Sequence, residues 1–136
     1  MSKEVFDLLD TVIPILKVAS VTDTIDGKIW RIKRPQNRQI RDIVVVPLVM
    51  SDGHVNDIDV HDGFFFINIY APKLSEGMHD EPHLKATTDA VVAVIKAYSS
   101  GSTYFHIEIV NKTIFDDQDS KDMSYMSIRL KYTIET

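Results

Sequence analysis

Hydrophobic residues in the segment 80–99 recur with the period of an α-helix that has two usable faces. One face carries the bulky side chains of Leu84, Val91, Ile95 and Tyr98. The nearly opposite face carries only methyl groups, those of Ala86, Ala90, Ala93 and Ala97. Asp80 is an N-cap candidate, Pro82 follows it, and Gly101 ends the pattern. We expect the bulky face to cover a sheet and the alanine face to allow close approach of another helix or another copy of the chain.

A second amphipathic pattern spans residues 3–19 and predicts a helix at the start of the chain. Pro14 falls outside its apolar stripe, on the side where a missing N–H bond and a kink are tolerated best. The helix is therefore expected to bend or to end early.

Five segments show the apolar runs or the alternation of β-strands, namely 28–34, 41–50, 63–71, 103–110 and 123–135. Charged residues place the first near a sheet edge, and Pro47 restricts the second to an edge, a bulge or a strand end. Large side chains occupy both faces of the third, with Phe65, Ile67 and Ile69 opposite Phe64, Phe66, Asn68 and Tyr70. Its second face is therefore expected to meet a loop, the first helix or a partner subunit.

Two polar segments between the strands carry four aspartates each. The first acidic segment, 51–62, is predicted to be a loop or hairpin tip, and the second, 111–122, a long hairpin arm. Their acidic residues are Asp52, Asp57, Asp59 and Asp62 in the first, and Asp116, Asp117, Asp119 and Asp122 in the second.

The order α-β-β-β-α-β-β predicts an α+β fold. We expect an antiparallel or mixed sheet of about five strands, with two helices packed on one face. At 136 residues the chain is expected to form a single domain over 1–136.

Lys and Arg number 15 against 20 Asp and Glu, for a formal net charge of −5, which speaks against general binding to polyanions. No cysteine is present, which excludes disulfides, thiolate nucleophiles and cysteine-based zinc sites. No apolar run has the length of a membrane span, and the first residues lack the apolar core of a signal peptide. We expect a soluble, unprocessed chain with no membrane partner.

Motifs for nucleophilic catalysis and for phosphate binding, such as G-x-S-x-G and G-x-G-x-x-G, do not occur. His79 and His83 are four residues apart, but His79 precedes the N-cap candidate, which favours surface or first-turn histidines. The aspartate clusters lack the ligand spacing of an EF-hand. We predict no catalytic residue, no metal site and no cofactor. The competing hypothesis is a small ligand-binding or metal-binding regulatory module that uses the two histidines.

Five cations without an intervening acid mark the segment 31–41, which we call the basic arm. They are Arg31, Lys33, Arg34, Arg38 and Arg41. Three interpretations are open: contact with an acidic segment of the next copy in a ring, protection of a strand edge against aggregation, or contact with nucleic-acid phosphates.

The order of elements and several segments resemble the small tail-completion or tail-terminator proteins of tailed bacteriophages and prophages. The resemblance covers about residues 5–134. It rests on the first helix, RPQNRQIRDIVVVPLVM at 34–50, GFFFINIYAP at 63–72, and the late element Ser124, Tyr125, Ser127 and Arg129. The length of the two acidic segments departs from the family pattern.

Proteins of that family are structural and not enzymes. The resemblance implies a homo-oligomeric ring, six-fold or twelve-fold, at the head–tail junction or the tail end, around a channel that DNA crosses without sequence readout. Neck, connector or tail-tube proteins are the implied neighbours, and the virion is the implied location after assembly in the host cytoplasm. In such a ring the basic arm reaches a neighbour or the DNA channel, the acidic segments dock successive rings, and the alanine face packs closely.

Overall fold

The structure, a computed structural model, describes residues 3–55, 58–103 and 105–135, with the side chains of 8–48, 63–103 and 105–133. Within those ranges, three α-helices and five β-strands follow the order α-α-β-β-β-α-β-β. They are α1 (Lys3–Leu16), α2 (Ala19–Thr22), β1 (Ile29–Arg31), β2 (Ile43–Val55), β3 (Ile58–Pro72), α3 (Glu81–Gly101), β4 (Phe105–Asp116) and β5 (Met123–Glu135). A single 3₁₀ turn, Ser75–Gly77, precedes α3.

The strands form a mixed sheet in the order β1-β2-β3-β5-β4. β1 runs parallel to β2, and the other neighbouring pairs are antiparallel. The predicted α+β fold is confirmed, with its five-stranded sheet and two long helices. The short α2 is an addition that the sequence pattern did not predict.

The core lies between the helices and one face of the sheet, where alternate residues of the strands point. The bulky stripe of α3 reaches it through Leu84, Val91 and Ile95, as predicted, whereas Tyr98 at its end is 39% exposed. Phe65 is fully buried there, while its neighbours in β3 on the other face are only half-buried.

The end of α1 and the start of α3 follow from particular residues of the sequence. α1 stops at Leu16, so the early end expected near Pro14 is confirmed, and Pro14 lies on the exposed side. Asp80 caps α3 by accepting a hydrogen bond from the His83 N–H (3.4 Å), also as predicted. None of the helices in the described ranges combines the length and apolarity needed to cross a membrane.

The strands extend further than their side-chain patterns predicted. β2 and β3 pair as far as Val55 and Ile58, so most of the first acidic segment is strand. Of the two predicted alternatives, the hairpin tip is confirmed and the loop is wrong. Polar side chains do not prevent this pairing, because the backbone makes the ladder hydrogen bonds. The register shifts between Pro47 and Met50, which is the bulge that Pro47 allowed. β4 similarly runs through the first half of the second acidic segment.

Candidate functional site

The basic arm joins the parallel strands β1 and β2 and crosses the sheet face that the helices leave free. Its residues face Val44, Val46 and Tyr70, which alternate with the core-facing residues of β2 and β3. The chain leaves β1 at Ile32, whose φ of 69° is unusual for a β-branched residue. The Ile32 N–H donates to the Val45 carbonyl (2.8 Å) and helps to hold this conformation. The arm is thus the loop that covers part of the second face of β3.

A fully buried carboxylate, that of Asp42, fastens the arm to the sheet. Arg38 binds it in a bidentate manner, with Nε 2.8 Å from Oδ2 and Nη2 3.1 Å from Oδ1. Arg34 Nη1 donates to Oδ2 (2.9 Å), and the Lys28 backbone N–H donates to Oδ1 (2.8 Å). Each carboxylate oxygen therefore accepts two hydrogen bonds, which offsets the cost of burying the charge.

The pKa values in this cluster follow from those contacts. Burial raises the pKa of Asp42, but the hydrogen bonds from Arg38, from the Lys28 N–H and from Arg34 outweigh it, so the pKa lies below its ordinary value of 3.8. The hydrogen bond to Asp42 is the main cause of a raised pKa at Arg38. Both groups are therefore charged at neutral pH.

Arg34 joins the arm to the turn between β4 and β5. Its side chain is only 8% exposed, and its Nη2 lies 3.4 Å from Asp117 Oδ2 in that turn. The same guanidinium donates to the carbonyls of Arg38 (3.1 Å) and Ile40 (3.5 Å) and stacks 3.9 Å from the centre of the Tyr70 ring. Burial, followed by the charge of Asp117, raises the pKa of Tyr70 to about 12. The arm and the turn therefore form one connected surface.

The remaining cations of the arm are more accessible. Arg31 pairs with Asp10 of α1 (2.7 Å) in an exposed contact. Lys33 is exposed and Arg41 is half-buried. Among the described residues neither of these two side chains forms an ion pair. Lys33 and Arg41 are therefore available to contact a neighbour or DNA, whereas Arg34 and Arg38 are engaged within the chain.

The second acidic segment is partly neutralised inside the chain. Lys73 Nζ lies 2.9 Å from Asp116, and its hydrogen bond lowers the pKa of that carboxyl. Asp117 contacts Arg34, while Asp119 and Asp122 are exposed. The side chains of Asp52, Asp59 and Asp62, and Asp57 altogether, lie outside the described residues.

The two acidic segments lie at opposite ends of the sheet. Val60, near the tip of the β2–β3 hairpin, is opposite Glu135, whereas Pro72 is opposite Met123 beside the β4–β5 turn. The basic arm shares the second of these ends, through its contact with Asp117. An acidic hairpin without Lys or Arg therefore projects from one end, and exposed cations lie at the other.

The alanine face of α3 is mostly exposed. Ala86, Ala93 and Ala97 are exposed, and Ala90 is partly buried against the core. The described helices leave this face open, so the close packing predicted for it requires a surface from another molecule.

The two histidines of the metal-binding hypothesis, His79 and His83, have different surroundings. His83 Nδ1 lies 2.6 Å from the capping carboxylate of Asp80. His79 Nδ1 is buried and has no hydrogen-bond partner among the residues that the structure describes. Within the described ranges, no three His, Asp or Glu side chains are grouped as ligands of one ion. The metal-binding hypothesis therefore gains no third ligand from the described residues.

Beyond the arm, the same sheet face stays open over β3, β5 and β4. We call the surface formed by Phe66, Asn68, Thr113, Phe115, Tyr125 and Arg129 the open face. A row of aromatic rings borders the arm there, with Tyr125 4.9 Å from Tyr70 and 5.5 Å from Phe115, measured between ring centres. Tyr125 and Arg129 belong to the late element on which the family resemblance rests.

Asp42 is the residue that sequence reasoning missed. It lies one position beyond the cationic run and four beyond Arg38, with which it forms an ion pair. The sequence pattern places Asp42 in the predicted strand 41–50. It therefore does not reveal that this acid neutralises the basic arm.

Together these features define a small α+β protein whose sheet is covered by helices on one face and partly by a charged arm on the other. No protein-family model matches the sequence, and no curated protein does. In fold, the chain is similar to a chain of the virion of a native gene transfer agent particle, with a TM-score of 0.69 and 13% sequence identity. The similarity covers 99% of this chain and 100% of that chain, so the fold is shared over the full length.

Proposed function

We propose that the chain is a structural subunit of a virion resembling those of tailed bacteriophages. It assembles with copies of itself into a six-fold or twelve-fold ring at the head–tail junction or the end of the tail, as a tail terminator or neck protein. The full-length similarity in fold to a chain of a gene transfer agent virion carries this proposal. The sequence resemblance to tail-completion proteins supports the finer position.

The distribution of charge supports head-to-tail contact. A closed ring needs two different, complementary surfaces on each subunit. The chain carries an acidic hairpin at one end of the sheet and accessible cations, Lys33 and Arg41, at the other. Contact between unlike charges would steer the subunits into register, and it would weaken as the salt concentration rises.

In this role the chain makes and breaks no bond, and it uses no cofactor. Its partners are neighbouring neck, connector or tail-tube proteins, and DNA passes through the ring without sequence readout. We propose that the exposed part of the second acidic segment, Asp119 and Asp122, docks the next ring, and the exposure of both side chains supports this role. The protein's location is the virion, reached after assembly in the host cytoplasm.

Negative-stain microscopy of the purified chain, alone and mixed with tail tubes, tests the proposal. We expect rings, and tubes that are capped at one end. The charge reversal Lys33→Glu should lower the fraction of capped tubes, whereas Lys96→Glu on the exposed side of α3 should leave it unchanged. Absence of both rings and capped tubes with the unaltered chain would refute the proposal. Equal capping by the two variants would remove only the role of Lys33.

A thermal-shift measurement separates this function from the regulatory-module hypothesis. A metal-binding module would be stabilised by zinc through mass action, whereas a ring subunit would not. Zinc-dependent stabilisation that is lost in His79→Ala would favour the module.

A further inference from the structure

The open face carries polar groups that the described part of the chain does not satisfy. Arg129 Nε and Asn68 Oδ1 are buried, and neither has a hydrogen-bond partner within the described residues. The Arg129 guanidinium lies over the Phe64 ring, with Cζ 4.5 Å from the ring centre. A buried donor and a buried acceptor without partners are costly. Both atoms are shielded from solvent, so an occupant of the face would contact the other polar atoms of Arg129 and Asn68, which line the surface.

The chemistry of the face defines that occupant. A carboxylate is the natural acceptor for the Nη groups of Arg129, and a backbone carbonyl can accept a hydrogen bond from the Asn68 NH₂ group. Phe115 is 45% exposed, and Phe66 and Tyr125 are half-buried beside it, so the occupant must also cover aromatic rings. An acidic polypeptide segment meets all three requirements.

We propose that the open face binds the first acidic segment, 51–62, of a second copy of the chain. This segment has four aspartates, and residues 43–72 contain no Lys or Arg. Charge complementarity favours it over the second acidic segment, where Asp116 and Asp117 already contact Lys73 and Arg34 within the chain. The exposed carboxylates that remain there, Asp119 and Asp122, are assigned above to the contact with the next ring. The hairpin of the same chain is excluded, since its strands continue the same sheet and point away from the face.

The inference deepens the proposed function, on which it rests, by assigning a contact between ring subunits. The hairpin of one copy lies on the open face of the next copy. The open face of the first copy receives the hairpin of a third. Such a contact is heterologous, so its repetition closes a ring when the rotation per subunit allows it.

Disulfide trapping tests the contact directly, because the chain contains no cysteine. Asp59→Cys places a thiol on the hairpin, and Thr113→Cys places one on the open face at an exposed position. The two variants, made with tags of different size, are mixed and oxidised mildly. We expect a mixed disulfide dimer between them. Asp59→Cys paired with Lys96→Cys, on the exposed side of α3, is the matched control and should give none.

A charge-swap measurement gives an independent readout. Arg129→Glu should weaken self-association by at least about tenfold, and the added change Asp59→Lys should restore part of the loss. If Arg129→Glu does not fold, the trapping experiment still decides the question. Rings that form without the Asp59–Thr113 disulfide overturn this inference and leave the proposed function standing. A chain that forms no ring under any condition overturns both.

Discussion

Replacement of Asp42 by asparagine would show whether the basic arm is held in place by a single buried charge. The carboxylate accepts four hydrogen bonds, from the Lys28 N–H, from Arg34 and twice from Arg38. The amide of asparagine has nearly the same shape but only one oxygen. In either orientation its NH₂ group would face two donors, and the arginines would lose their counter-charge.

The size of the effect follows from burial. Breaking a buried ion pair by removing one partner costs roughly 3–5 kcal/mol. We expect the lower end, about 3 kcal/mol of unfolding free energy, because Arg34 keeps its contact with Asp117 and Arg38 is partly open to solvent. For a chain of this size, that loss corresponds to a melting temperature about 10 °C lower.

Urea unfolding followed by the fluorescence of Trp30, the only tryptophan, measures this loss close to its origin. The Arg38 guanidinium lies 5.0 Å from the centre of the Trp30 ring, so the signal also reports on the arm. Asp10→Asn is the matched control. It removes the carboxylate of the exposed pair with Arg31, and the expected change is below about 1 kcal/mol.

The dependence on pH has a definite sign. Because the pKa of Asp42 is lowered in the folded chain, its contribution is present above the unfolded pKa of 3.8 and is lost as the pH falls through the folded value. The difference in unfolding free energy between the unaltered chain and Asp42→Asn should therefore shrink below pH 3.8. An Asp42→Asn chain within about 0.5 kcal/mol of the unaltered one at neutral pH would refute the reasoning.

Three further predictions concern single positions. Gly27→Ala should destabilise the fold by more than about 1 kcal/mol, because its Cβ would overlap a buried carboxylate oxygen and lie 2.6 Å from a carbonyl oxygen. Gly101→Ala, which meets nothing within 4 Å, should be neutral or stabilising in the same melts. Tyr70 should ionise only near pH 12 in a phenolate absorbance titration, and ionisation near pH 10 would count against its burial. Its contribution to stability should be fully present below pH 10 and should vanish above about pH 12. Asp80→Ala should lower the free energy of unfolding by about 1 kcal/mol, because it removes the cap of α3. The exposed Asp89→Ala should lower it by less, and equal losses in urea unfolding would exclude a capping role for Asp80.

Elements whose side chains meet a single core were predictable from the sequence. Alternation in β5 and the spacing of Leu84, Val91 and Ile95 reflect one buried face each, so periodicity was enough. The reach of β2 and β3 through the first acidic segment was not predictable, because its glycine and aspartates favour a turn, while the ladder hydrogen bonds are made by the backbone whatever the side chains. The parallel pairing of β1 with β2 likewise depends on a crossover that composition does not reveal.

The candidate surfaces were predictable as charges but not as contacts. The sequence identifies five cations in the basic arm, yet two of them, Arg34 and Arg38, are fixed by Asp42 within the chain. Which cations remain accessible depends on the path of the arm over the sheet, and that path is set by tertiary hydrogen bonds. The sequence predicts only that the second face of β3 is covered, and it does not identify the residues of the open face.

The central claim is that this chain exists to assemble with copies of itself. Light scattering on the purified full chain at increasing concentration tests it most directly. We expect one discrete mass of about 93 or about 186 kDa, six or twelve times the 15.5 kDa chain, that stops growing once the ring closes. A mass that stays at one chain up to the highest concentration, or that grows without limit, would contradict it.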